Sequence, residues 1–260
     1  MIVTWSKGRA DDWMSEDILV DLSRLIWRHP WWQARARLML ALLERLNVQP
    51  PARVLDAGCG WGVNLEALER SGYHVEGLDV SRQALEQLDK PARSLIEADL
   101  TQGLPSQVES YNAIIALDVI EHLDDDRAAV AGLAQLIKPG GVCILSVPAL
   151  PELYSEFDRV QGHRRRYLPE TLRQACSESQ LRIEHVFWWG SWMVPIIRMR
   201  KSRAQADASL SPAEVYRRYL VLPSWPISLA LRLAFALDHL WTLSGKASQG
   251  TSLFAIARRD

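Results

Sequence analysis

Arg53-Val54-Leu55-Asp56-Ala57-Gly58-Cys59-Gly60-Trp61-Gly62 decides how this chain is read. A short apolar run, Val54-Leu55, leads straight into Gly58, Gly60 and Gly62 at alternate positions. A glycine turn between a strand and a helix lets a ligand come close to the backbone and exposes the first N–H groups of the helix. The spacing predicts that helix over 62–71, ending near Gly72. A second strand follows at Tyr73–Leu78 and stops at Asp79. A helix over Ser81–Leu88 has Ser81 as its N-cap. Further strands are expected at Ser94–Ala98, stopping at Asp99, and at Asn112–Leu117, stopping at Asp118. A helix over 124–137 is halted by Lys138-Pro139-Gly140-Gly141, and Val142–Val147 is the fifth strand. Strands alternating with helices predict parallel βαβ units in a doubly wound α/β sheet, with the ligand outside the carboxyl ends of the strands.

Outward from this block the rhythm changes. Residues 15–47 read as helical, from Leu19, Leu22, Leu25 and Ile26 to Leu38, Leu42, Leu43 and Leu46, with a break at Pro30. Beyond Pro148 come a loop carrying Gly162-His163-Arg164-Arg165-Arg166-Tyr167, a helix over Pro169–Ser179 and a strand over Leu181–Trp188. Gly250–Ala257 reads as a last strand. The domain plan is therefore a helical N-terminal cap (1–50), a core (51–189 with 250–260), and a helical insertion (190–249) on the substrate or interface side.

Composition narrows the function. The chain has 260 residues, is 48% hydrophobic, and carries a formal net charge of −1. That charge offers no basic excess for a nucleic-acid backbone, so no nucleic-acid partner is expected. Cys59, Cys143 and Cys176 have neither disulfide nor metal spacing, which predicts a reducing, cytoplasmic setting. The first residues lack an apolar signal core. Val221–Leu243 is apolar but holds Pro223, Pro226, Arg232, Asp238 and His239, which argue against a membrane span. Five of the eleven tryptophans (Trp188, Trp189, Trp192, Trp225 and Trp241) fall in the last third.

Asp79 lies about 20 residues beyond the glycine turn, where a carboxylate can grip ribose hydroxyls. Nicotinamide and adenosylmethionine enzymes share that much. Asp99 at the next strand end can accept from an adenine amino group. Leu117-Asp118-Val119-Ile120-Glu121-His122-Leu123 follows the fourth strand and Lys138-Pro139-Gly140-Gly141 precedes the fifth. Over roughly residues 52–150 this ordered set resembles the class I S-adenosylmethionine-dependent methyltransferases. The resemblance implies a Rossmann-like, seven-stranded sheet whose last strand is antiparallel. It also implies a cofactor site of Arg35, Asp56, Gly58, Cys59, Gly60, Asp79, Val80, Asp99, Leu100 and Leu117. Within it Gly58 and Gly60 line the methionine moiety, Asp79 meets the ribose and Asp99 the adenine. His29-Pro30-Trp31-Trp32-Gln33-Ala34-Arg35 resembles the helix these enzymes fold over the cofactor, with Arg35, or alternatively Arg37, on the methionine carboxylate.

Enzymes that methylate amino groups of nucleic acids or glutamine usually carry Asn/Asp-Pro-Pro-aromatic after the fourth strand. This chain has Asp118-Val119-Ile120-Glu121, which leaves transfer to a small or lipid-linked acceptor, chiefly on oxygen. An oxygen nucleophile needs a base, or a metal that lowers its pKa. His163, His122 and Asp118 are the candidate catalytic residues. The pattern is similar to ubiquinone-pathway O-methyltransferases and small-RNA 2′-O-methyltransferases, in which carboxylates and histidines at these places can hold a divalent ion. No metal is expected here, and the alternative is an ion on Asp118, Glu121, His122 and His163. Arg164, Arg165 and Arg166 either hold an anionic substrate or form a solvated loop. Arg198, Arg200, Lys201 and Arg203 beside the tryptophans suit peripheral membrane contact through residues 188–203, a pocket lid, or a packed core. Transfer to RNA and a non-catalytic cofactor-binding scaffold or partner subunit are the competing readings.

Overall fold

The computed structural model describes residues 1–6, 22–23, 25–104, 111–201 and 211–260. Leu19 of the predicted first helix and Arg203 of the cationic cluster lie outside them. The strands are β1 (Ile2–Thr4), β2 (Arg53–Ala57), β3 (His74–Asp79), β4 (Ser94–Glu97), β5 (Tyr111–Leu117), β6 (Ile137–Pro148), β7 (Leu181–Trp189) and β8 (Ser252–Arg259). The helices are α1 (Pro30–Arg45), α2 (Val63–Arg70), α3 (Arg82–Leu88), α4 (Asp126–Gln135), α5 (Glu156–Val160), α6 (Pro169–Cys176), α7 (Val194–Lys201), α8 (Pro212–Tyr219) and α9 (Trp225–Leu243).

The strands form one sheet in the order β1-β4-β3-β2-β5-β6-β8-β7. Strands β1 to β6 pair in parallel, while β8 runs antiparallel to both β6 and β7. The doubly wound sheet with an antiparallel last strand is as expected, but the described sheet has eight strands, not seven. The extra one is β1, assigned from sequence to the helical cap. It pairs Ile2 with Leu95 at the edge of the sheet, a long-range contact that no local pattern announces.

Alternation along the strands covers both faces. Leu55, Ile114 and Ala116 face α4 and α6, whose Val130, Leu133, Leu172 and Ala175 are buried against them. Val54, Ala113 and Ile115 face the other way, onto Leu38, Met39 and Leu42 of α1 and Phe235 of α9. Helix α1 begins where expected. His29 Nδ1 accepts from the Trp31 N–H at 3.2 Å, and Pro30 occupies the first turn, where its missing N–H costs nothing. Ser81 caps α3 by accepting from the Ala84 N–H at 3.1 Å. Lys138-Pro139-Gly140-Gly141 differs from expectation. It lies inside β6, because Ile137 already pairs with Tyr111 and a register shift before Ala113 absorbs the additional residues.

The strand order reverses between β2 and β5, which opens a crevice at their carboxyl ends. Gly250 locks the far end of the sheet, since a Cβ there would sit 2.3 Å from the Trp189 carbonyl oxygen. Backbone cannot give way as a side chain can. Gly250→Ala is expected to cost about 1–3 kcal/mol of stability, read from the urea midpoint at unchanged slope. An unaltered midpoint would contradict this packing.

Candidate active site

A cavity of about 780 Å³ occupies the crevice. One wall is the glycine turn. The Gly58 and Cys59 N–H groups donate to the Leu78 carbonyl at 2.7 and 2.9 Å, which ties the turn to the end of β3. The Gly60 N–H donates to Asp79 Oδ2 at 2.7 Å and the Ser81 N–H to Oδ1 at 2.9 Å. Gly58 has φ +74°, and a Cβ there would lie 2.4 Å from Val119 Cγ2. Only glycine satisfies both demands. Burial raises the Asp79 carboxyl above its usual range, countered by N–H donors from Ser81, Gly60 and Val80.

Of the predicted cofactor residues, Arg35, Gly58, Cys59, Gly60, Asp79, Val80, Asp99, Leu100 and Leu117 line this cavity. Asp99 is held by the Thr101 N–H and hydroxyl at 2.9 and 2.7 Å and by the Gln102 amide at 3.1 Å. Asp56 does not line the cavity. It lies under the turn, where burial and the nearby Asp79 push its carboxyl up to about 7 while the Leu65 N–H pulls it down.

Arg35 already has partners within the chain. Its guanidinium is buried, donates to Asp118 Oδ2 and Ser146 Oγ, and stands 4.4 Å from the Trp31 ring centroid. The fork expected to hold a methionine carboxylate is thus engaged by Asp118. Asp118 sits in the left-handed region at φ +57°, accepts from Ser146 Oγ at 3.1 Å, and donates its own N–H to the Ser146 carbonyl at 2.9 Å. Asp118 lines the cavity as an ion-pair partner rather than as a free base.

His163 lies across from it. Its Nδ1 is 3.0 Å from Asp158 Oδ1, and its Nε2 is 3.9 Å from Glu121 Oε1. Burial pushes the Asp158 carboxyl up, but the His163 hydrogen bond and the Arg166 ion pair outweigh it and hold the group at about 2. Asp158 was not among the residues picked from sequence. Its available signal was Ser155-x-x-Asp158, a capping box at the start of α5 that places the carboxylate one turn before the histidine. His122 also faces the cavity, with its ring 4.8 Å from that of His163 in an edge-on pair. Burial, and then His163, lower its pKa to about 3, so it is neutral at physiological pH.

Glu121 is fully buried, and neither carboxylate oxygen has a hydrogen-bond partner among the described residues. Burial and Asp118 raise it well above the usual carboxylate range. Donor atoms of Glu121, His122 and His163 lie within 4.8 Å of one another, whereas Asp118 is turned towards Arg35. A carboxylate with two imidazoles is chemically a fit for a divalent ion, and Asp158 on the far nitrogen of His163 is the support such a ligand usually has.

The arginine cluster of this loop serves as an anchor. Arg164 donates to the His122 carbonyl, Arg165 to the Asp124 carbonyl, and Arg166 forks onto Asp158 and reaches the Ala149 carbonyl. The opposite wall is aromatic and apolar. Trp31, Trp32, Trp61, Phe157, Trp192, Tyr219 and Phe235 all line the cavity, with Phe157 and Tyr219 stacked at 4.8 Å. Of these, only the excess of tryptophan hinted at a role. No helix among the described residues is long and apolar enough to cross a membrane.

The sequence model of a family described as "Methyltransferase domain" matches residues 31–186. That span contains the glycine turn, the strand-end carboxylates and His163. The chain belongs to the class I S-adenosylmethionine-dependent methyltransferases. S-adenosylmethionine is accordingly the cofactor of this methyltransferase. A ubiquinone biosynthesis O-methyltransferase of Hahella chejuensis is 28% identical over 127 residues, covering 43% of this chain and 53% of that protein. The chain thus spans about half the length of the curated relatives it matches. Among solved structures, an S-adenosylmethionine-dependent methyltransferase from Mesorhizobium loti aligns with TM-score 0.54 at 19% identity, covering 84% of this chain and 96% of that one. Phosphoethanolamine N-methyltransferase 2 of Haemonchus contortus, in complex with S-adenosylhomocysteine, aligns with TM-score 0.53 at 20% identity, covering 85% and 52%. These two likenesses concern the fold.

Loss of one charge-assisted hydrogen bond to the cofactor is worth roughly a 10- to 100-fold change in affinity. Asp79→Ala is therefore expected to weaken S-adenosylhomocysteine binding by about that factor in calorimetric titration. A folded Asp79→Ala protein with native affinity would rule out this carboxylate as a cofactor contact.

Proposed function

We propose that this methyltransferase moves the methyl group of S-adenosylmethionine to a hydroxyl oxygen of a small or lipid-linked acceptor, with His163 as the base. The observation that carries the reading is the Asp158–His163 pair, whose histidine lines the cavity. Asp158 accepts from Nδ1, which fixes the tautomer whose Nε2 is open to a proton. As the acceptor oxygen attacks the methyl carbon, the carbon–sulfur bond breaks and its electron pair returns to sulfur, leaving neutral S-adenosylhomocysteine. The hydroxyl proton passes to His163 Nε2. Positioning for this in-line displacement supplies much of the rate. The cofactor is assigned to the wall of Gly58, Cys59 and Gly60, with Asp79 at the ribose, Asp99 at the adenine, and Val80, Leu100 and Leu117 around it. Helix α1 closes over it. The aromatic wall then receives an apolar acceptor, in keeping with the names of the ubiquinone-pathway relatives. Three buried free cysteines, Cys59, Cys143 and Cys176, support a reducing setting.

A second reading is favoured by the two unpartnered oxygens of buried Glu121. Glu121, His122 and His163 would hold a divalent ion, and a bound ion would lower the pKa of the acceptor hydroxyl. In both readings Asp158 orients His163.

Removing the orienting carboxylate separates binding from chemistry. Asp158→Asn is expected to lower turnover on a polyprenyl catechol by about 10²- to 10⁴-fold, with S-adenosylhomocysteine affinity retained. The residual rate should climb with pH as the acceptor ionises unaided. Unchanged turnover would exclude the dyad. Activity abolished by chelator and restored by Mg²⁺ or Zn²⁺ would select the second reading.

A further inference from the structure

Helix α9 is built inside out. Asp238 and Thr242 face the protein, where Asp238 accepts from the Gly190 N–H at 2.8 Å and the Thr242 hydroxyl donates to the Trp188 carbonyl at 3.3 Å. The outward stripe is Trp225, Leu229, Leu233, Leu237, Leu240 and Trp241, each between 50% and 78% exposed. These positions recur mostly every four residues, so they share one face over a helix about 28 Å long. A helix facing water normally shows the opposite pattern.

Within the α7 and α9 segments the exposed charges have one sign. Residues 190–201 and 221–250 contain a single acidic side chain, the inward-facing Asp238. Arg198, Arg200, Lys201, Arg232 and Lys246 are exposed there, although the whole chain carries −1. Arg198 also meets Glu152 across from α7. The helix lies outside residues 31–186, the span that the methyltransferase family model matches.

We propose that the outward face of α9 lies on an anionic membrane surface as a monotopic interfacial helix, with the cations of α7 and the ends of α9 at the headgroups. Tryptophans at the two ends of an aliphatic stripe match the interfacial preference of indole, and cations add attraction to anionic lipid. A two-fold pairing of identical copies would instead bring this cationic rim against itself. Docking rests on this surface alone and not on the reaction. Ile227, Leu231 and Phe235 of α9 also line the active-site cavity, as do Arg200 and Lys201, so the docked face borders the site. On the proposed function, an acceptor with an apolar tail reaches the cavity from the bilayer.

The test is flotation of the full chain with phosphatidylcholine vesicles containing about 30% phosphatidylglycerol, against phosphatidylcholine alone and against raised salt. The chain should float with the anionic vesicles and lose at least about tenfold in partitioning with Leu233→Glu/Leu237→Glu, at native melting temperature and native S-adenosylhomocysteine affinity. Arg232→Glu/Lys246→Glu, which leaves the apolar stripe intact, should weaken binding to anionic vesicles only. Failure of the unaltered chain to bind anionic vesicles overturns the proposal. A dimer dissolved by Leu233→Glu/Leu237→Glu in light scattering, without vesicle binding, would assign the face to a second copy. Cofactor affinity stays native in each of these results, so failure here is separable from failure of the methyl-transfer reading.

Discussion

A buried guanidinium joins the two parts of the molecule that make the site. Arg35 reaches from α1 to Asp118 at the end of β5 and to Ser146 in β6, and it stacks on Trp31 of its own helix. A lone charge in that position would be very costly, and removing either partner of such a pair typically destabilises by about 3–5 kcal/mol. The pair therefore fixes how α1 sits over the strand ends. It also stabilises Asp118 in the left-handed conformation, which turns the chain from β5 into the short helical turn at Ile120–His122. Glu121 and His122 owe their places to that turn.

Around this clamp the molecule gathers acids that burial discourages from ionising. Asp56 is pushed up to about 7, and Asp79 and Glu121 are raised as well. Asp158 is as buried as Asp56 and Glu121 but goes the other way, because His163 and Arg166 both meet it. The contrast separates the carboxylates by task. Asp158 is a permanent anion that orients a histidine. Glu121 is a buried group in need of a proton or a cation, and Asp79, proposed above to meet the ribose, takes its N–H donors from the glycine turn and the start of α3.

The sequence was most informative where function constrains a few adjacent residues. Gly58 is legible because its positive φ and the closeness of Val119 exclude any side chain. Asp79, Asp99 and Asp118 are legible because each ends a strand. Long-range pairing was not legible. The Arg35–Asp118 pair was hidden because its members lie in distant elements, and β1 read as helical cap because three residues carry little pattern. Lys138-Pro139-Gly140-Gly141 read as a turn, since turn residues can equally be accommodated as an irregularity within a strand. The charges of α9 were visible, but not their direction. Asp238 argued against a membrane span from sequence, and in the fold it points inward and leaves the apolar stripe outside.

On the proposed function the cofactor lies across the carboxyl ends of β2, β3 and β4. Calorimetric titration with S-adenosylhomocysteine, with NAD as the control, tests it most directly. Binding in the range of about 1–100 μM is expected for the first ligand and none for the second. Binding of NAD alone, or of neither ligand to the folded chain, would contradict it.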